Sequence, residues 1–189
     1  KDVVLHVIGM IGFDGATYQS MEFLGEGATS LSLEDRMTVA NMGIEAGAKN
    51  AIFPVDEEVT RFVDARCAAA GTTRDYTIFD GPDADAEYLA SFDIDLGSIE
   101  PVIAKHPDPA NVVPVRECKG LPLHRAYIGS CTGGKFSDFE AFAAIVRGRE
   151  VKLETFGVPA TPEILHRLKT ETIGGEIIWD IMVNAGVRM

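Results

Sequence analysis

Apolar residues recur along this chain in short runs broken by glycine, proline and acidic residues, and the runs carry two different periods. Residues 2–11 hold apolar groups at spacings that suit a helix and a strand equally, so periodicity leaves that element open. Gly12, Asp14 and Gly15 then mark a turn. Residues 18–24 alternate, with Met21 and Phe23 on one side, and read as a strand ended by Gly25-Glu26-Gly27. Ser32 is placed to cap a helix, with Asp35 three residues on and Glu34 in the first turn, where negative charge suits the helix dipole. That helix is expected to run to about residue 46 and to stop at Gly47. A short strand at 51–54 follows, then a helix capped by Asp56 that reaches about residue 70, then a strand at 76–79.

The pattern changes between residues 81 and 114. Asp, Pro and Gly are dense there and the helical period disappears. Residues 92–96 alternate as a half-buried strand would, and Val102-Ile103-Ala104 is a second candidate strand. Residues 112–122 read as a linker or domain edge. Beyond them, 125–128 reads as a strand, Gly129 to Gly134 as a glycine-rich turn, and 136–146 as an amphipathic helix with Phe139, Phe142, Ala143 and Val146 on one face. A strand at 151–158 and helices at 161–170 and 174–185, the last ended by Gly186, complete the chain. Strand and helix alternate, which predicts an α/β fold of parallel or mixed sheets flanked by helices. The expected division is into two subdomains, 1–108 and 109–189.

Composition narrows the function classes. The chain has 189 residues, 46% of them hydrophobic and 24% charged, as in ordinary soluble globular proteins. No apolar run approaches the roughly 18 residues of a membrane helix, so no membrane span is predicted. The opening Lys1-Asp2-Val3 lacks an initiator Met and the features of a signal peptide, which fits a mature, trimmed or internal piece. A net charge of −12 repels nucleic acid and makes an anionic substrate dependent on a local cation or metal. Three widely spaced cysteines, Cys67, Cys118 and Cys131, fit a reducing compartment, here read as the cytoplasm, better than a disulfide framework. Cys67 and Cys118 read as small buried thiols. His6, His106, His124 and His166 are scattered and read as surface or satisfied core residues.

Two places carry candidate chemistry. In the run from Ala126 to Lys135, a strand delivers Cys131 to a glycine-rich turn that opens a helix, where unpaired N–H groups favour a thiolate. Spacing alone leaves three readings: a structural thiol in a tight turn, a nucleophile, or a metal ligand. The nucleophile reading lacks a nearby histidine base, since His124 lies at the far end of the strand. On the first capped helix, Asn41 and Glu45 are four residues apart and would share a face, beside Met37, Ile44 and Ala48. They form either a solvated pair or a carboxylate held in a pocket for acid–base work.

Three segments resemble the aconitase superfamily of hydro-lyases. Residues 15–27 resemble its GATYxxxEFxGE segment, residues 35–48 its RMTxxNMxxExGA segment, and Ile128-Gly129-Ser130-Cys131-Thr132 its cluster-binding segment. Order and spacing agree over nearly the whole chain. The Gly133-Gly134-Lys135 form, with Gly133 where many members have Asn, is similar to isopropylmalate-type members. The resemblance implies that Cys131 is the first of three thiolates on a [4Fe–4S] cluster, with Ser130 and Thr132 beside it. It also implies that Glu45 is an active-site carboxylate and that Asn41 hydrogen-bonds near the cluster. The implied reaction isomerises a small hydroxy diacid, 2- or 3-isopropylmalate in leucine biosynthesis, by dehydration and rehydration. Homoaconitate, citrate and dimethylmalate-type diacids are alternative substrates. A separate small subunit is the implied partner; no nucleic acid or membrane is. The family's remaining cluster cysteines sit in a CxxC segment downstream of residue 189, and its histidine segments lie upstream of Lys1. The expectation is therefore an internal piece that alone holds no cluster and is inactive.

Overall fold

The computed structural model describes residues 1–75 and 81–189. The chain divides into two compact units, Lys1–Glu117 and Cys118–Met189. The first carries the net negative charge, with 21 Asp and Glu against 8 Lys and Arg; the second has 8 against 9.

In the first unit the undecided opening segment is a helix, α1 (Asp2–Ile11), because Val4, Val7 and Ile8 make a buried stripe at helical spacing. β1 (Ser20–Glu22) follows, then α2 (Gly25–Ser30) and α3 (Leu33–Met42). The expected end of the strand at Gly25-Glu26-Gly27 is thus the first turn of a short helix. Ser32 caps α3 as expected: its hydroxyl oxygen accepts from the Asp35 N–H at 3.2 Å. The α-helix does not reach residue 46. It ends at Met42 and tightens into a 3-10 turn over Gly43–Ala46 before stopping at Gly47. β2 (Asn50–Ile52) pairs in parallel with β1, Met21 opposite Ala51. Asp56 caps α4 (Glu57–Ala69), accepting from the N–H groups of Glu58 and Val59 at 3.1 Å each. The strand expected at 76–79 lies outside the described residues.

Residues 92–96 form no strand. The alternation ends instead in a 3-10 turn (Leu96–Ser98), where the Asp95 carboxylate accepts from the Gly97 N–H. β3 (Val102–Ala104) is present and pairs antiparallel with β4 (Val112–Pro114), inside the stretch read as a linker. Val4, Ile8, Ala16, Val39, Ala46 and Ala48 form the core of this unit.

The second unit pairs β5 (Arg125–Ile128) in parallel with β6 (Glu154–Gly157), with Arg188 bridging to Phe156 on β6. Between these strands run α5 (Ser130–Gly133), where a turn was expected, and α6 (Phe136–Val146). α7 (Pro162–Thr170) is capped by the Thr161 hydroxyl and carries Pro162 at its first position. The helix expected from residue 174 is shorter. A hairpin of β7 (Thr172–Ile173) and β8 (Glu176–Ile177) precedes α8 (Ile178–Asn184). Gly174 and Gly175 both have positive φ, 56° and 85°, as a two-residue hairpin turn requires. Phe139, Leu168 and Met182 are fully buried at the centre of this unit.

Candidate functional site

The first two motif segments interlock through their backbones. The Ala16 N–H donates to the Ala46 carbonyl at 2.9 Å, Tyr18 to Gly47 at 3.3 Å, and Lys49 to Gln19 at 2.8 Å. The 3-10 turn carrying Glu45 is thereby fixed against the loop that leads into β1. Glu45 is half-buried, and its Oε2 atom is enclosed with no hydrogen-bond partner among the described residues. Desolvating a carboxylate oxygen without a partner is costly, and groups left so are commonly ones that meet a ligand. Asn41 is exposed on the last turn of α3. Because the helix changes type between Met42 and Gly43, Asn41 and Glu45 do not share one continuous α-helical face, as their spacing had implied. Ile44, next to Glu45, is 68% exposed, and Met37 is exposed too, while Ala48 is buried. Two of the three apolar groups beside the pair are therefore open within this unit.

Arg36 has a role that sequence reasoning missed. It lies in the motif segment yet is buried, 3% exposed. Its Nη1 sits 2.7 Å from Asp56 Oδ2 and its Nη2 3.5 Å from Glu58 Oε2. Nε and Nη2 also donate to the carbonyls of Leu31 and Thr29 at 2.9 and 2.8 Å. One guanidinium thus ties the approach to α3 to the start of α4. The Val59 N–H, together with Arg36, holds the Asp56 carboxyl below its ordinary value of 3.8 despite partial burial. The available signal was the sole basic residue of α3, followed twenty residues later by an acidic cap.

In the second unit, Ser130, Cys131 and Thr132 are brought together on α5. Ser130 adopts a left-handed backbone, φ 71°, unusual for a residue with a side chain. Its hydroxyl lies 3.3 Å from that of Thr132 and accepts from the Thr132 N–H at 3.4 Å. Cys131 is exposed, whereas Cys67 and Cys118 are half-buried rather than sealed in a core. Gly134 closes the turn. Its N–H donates to the Ser130 carbonyl, its carbonyl accepts from Ala160, and a Cβ there would come within 2.6 Å of the Ser130 oxygen. The Lys135 ammonium donates to the Cys131 carbonyl at 2.9 Å. His6 is half-buried, and His106, His124 and His166 are exposed.

The donor chemistry fits one corner of an iron–sulfur site. An exposed thiol at the tip of a strand, on a backbone that a further side chain would block, suits a thiolate ligand. No group of three or more His, Cys, Asp or Glu placed to hold a metal occurs among the described residues. Nor is any helix of the described residues long and apolar enough to cross a membrane.

Comparison with known proteins agrees with the motifs. The chain is 45% identical over 166 residues to the 3-isopropylmalate dehydratase large subunit of Clostridium kluyveri, which covers 87% of this chain and 38% of that protein. The Acetivibrio thermocellus large subunit of the same name is 40% identical over 191 residues, covering 100% of this chain and 43% of the relative. The chloroplastic large subunit of Arabidopsis thaliana is 40% identical over 191 residues, 98% of this chain and 36% of the relative. The chain thus spans about two fifths of the length of the curated relatives it matches. The model of the aconitase family (aconitate hydratase) matches residues 1–188, and on that match the chain belongs to the aconitase family.

Proposed function

We propose that this chain forms part of a hydro-lyase large subunit that isomerises 2- and 3-isopropylmalate by dehydration and rehydration. The observation that carries the reading is the interlocked pair of motif segments, which leaves the Glu45 Oε2 atom enclosed and without a protein partner. The names of the relatives support the choice of substrate. Cys131 supplies one thiolate to a [4Fe–4S] cluster, and the other ligands come from outside these 189 residues. When bound, such a cluster supplies a Lewis-acidic iron for the substrate's hydroxyl and a carboxylate.

The chain's own residues do the rest of the work assigned here. Ser130 and Thr132 hold the turn that presents Cys131. Asn41 hydrogen-bonds beside the cluster. Glu45 handles the proton of the departing hydroxyl: in dehydration a carbon–oxygen bond breaks, the hydroxide takes a proton from Glu45 Oε2 and leaves as water, and the neighbouring carbon yields its proton to a base elsewhere in the site. A separate small subunit completes the enzyme. Free thiols at all three cysteines suit a reducing compartment, which we take to be the cytoplasm.

The test is an assay of the complete large subunit with its small subunit, loaded with iron and sulfide, on isopropylmalate and on homoaconitate. Isopropylmalate should turn over faster. Glu45→Gln should cut kcat roughly 10²–10⁴-fold with iron content unchanged. Faster turnover of homoaconitate, or full activity in Glu45→Gln, would refute the assignment.

A further inference from the structure

We infer that Lys135 is a positioning residue for Cys131, fixing the backbone of the ligand and placing a positive charge beside it; this rests on Cys131 being a cluster ligand as proposed above. The Lys135 ammonium donates to the Cys131 carbonyl at 2.9 Å, while its own N–H is held by Asp138 Oδ2 at 3.1 Å. The side chain therefore runs back over α5 from a fixed root.

The turn it clasps needs such a tie. α5 has four residues, begins at a left-handed Ser130 and ends where the Gly134 N–H donates to the Ser130 carbonyl. A helix this short has little cohesion of its own. The Ser130–Thr132 hydrogen bonds are long, 3.3 and 3.4 Å, so the lysine contact is the shortest side-chain bond recorded on the turn. Groups that orient a metal ligand without touching the metal typically change metal retention by roughly 10–100-fold. A cation at the ligand's carbonyl also favours the more reduced, more negative state of a bound cluster, because net charge near the sulfurs sets its potential.

The experiment uses the complete large subunit reconstituted with iron and sulfide. Lys135→Met, Lys135→Arg, Cys131→Ser and a control at the exposed Lys152, Lys152→Met, are compared. Three quantities are read: the rate of cluster loss to a chelator by visible absorbance, the midpoint potential by EPR-monitored titration, and the melting temperature. Lys135→Met is expected to lose its cluster roughly 10-fold faster than the parent and to show a more negative potential. Lys135→Arg and Lys152→Met should stay near the parent in both. Cys131→Ser should fail to hold a full complement of iron.

Parent-like loss and potential in Lys135→Met, with Cys131→Ser defective, would overturn the inference and leave the ligand assignment standing. A lower melting temperature in Lys135→Met with an unchanged potential would assign the lysine to folding alone and likewise overturn it. Full iron retention by Cys131→Ser would overturn the ligand assignment, and this inference with it.

Discussion

Replacing Arg36 by methionine removes one guanidinium from four partners while keeping most of the apolar stem. The side chain is 3% exposed and reaches two carboxylates and two backbone carbonyls. Breaking a fully buried ion pair from one side costs about 3–5 kcal/mol. Here the carboxylates are partly solvated, Asp56 at 30% and Glu58 at 45% exposure, so water recovers part of that loss. The carbonyls of Thr29 and Leu31 lose charge-assisted donors, which ordinarily contribute about 1.5–3 kcal/mol each, and regain water in their place. The net expectation is about 2–3 kcal/mol. With a urea m-value of about 2 kcal/mol/M, the midpoint followed by far-UV circular dichroism should fall by about 1–1.5 M.

The pH dependence sharpens this test. The folded-state pKa of Asp56 lies below its ordinary 3.8, so its contribution is present above that value and is lost as the pH falls through the folded pKa. The gap between the parent and Arg36→Met should therefore narrow below about pH 3.8. Some acid sensitivity should remain in the variant, because the Val59 N–H still holds the carboxylate. A loss under about 0.5 kcal/mol at neutral pH, where an exposed pair would sit, or a gap of equal size at pH 3 and pH 7, would refute the reasoning.

Three further outcomes concern the second unit, where Trp179 is the chain's sole tryptophan and packs against the core, so its fluorescence follows that unit. Phe139→Ala, at a fully buried position, should cost about 3–5 kcal/mol and abolish or greatly lower the fluorescence transition; an unchanged midpoint would contradict the described core. Thr161→Ala removes the cap of α7 and should cost about 1 kcal/mol, with Thr161→Ser close to the parent in the same urea titration. Gly175→Ala meets no atom within 4 Å, so any loss reports backbone conformation alone, expected at about 1–2 kcal/mol; a neutral result would argue against the left-handed turn.

Features that act locally are legible in the sequence. Ser32 and Asp56 stand out because a cap needs only an oxygen acceptor and the following N–H groups. Both parallel pairings follow from alternating strands and helices. Other features depend on what lies across the fold. The apolar residues of α1 fit two periods, and burial of Val4 and Ile8 against Val39 and Ala46 decides for the helix. Residues 174–177 look helical until two successive glycines take positive φ and fold back a hairpin. The shortened α3 is invisible in periodicity, since a 3-10 turn over Gly43–Ala46 displaces Glu45 by a fraction of a turn. Glu45 and Cys131 stand out as candidates through motifs, whereas the clasp of Arg36 on Asp56 joins residues twenty apart and depends on how the chain folds back.

The uneven distribution of charge has a consequence for how the chain answers to its solvent. With 21 acidic against 8 basic residues, Lys1–Glu117 folds against its own Coulomb repulsion, whereas Cys118–Met189 is nearly balanced. Raising the ionic strength from about 0.01 to 0.15 M shortens the Debye length from about 30 to 8 Å. Moderate salt should therefore firm up the amino-terminal portion and leave the Trp179-bearing portion nearly indifferent, so buffer choice alone can shift the melting of one portion relative to the other.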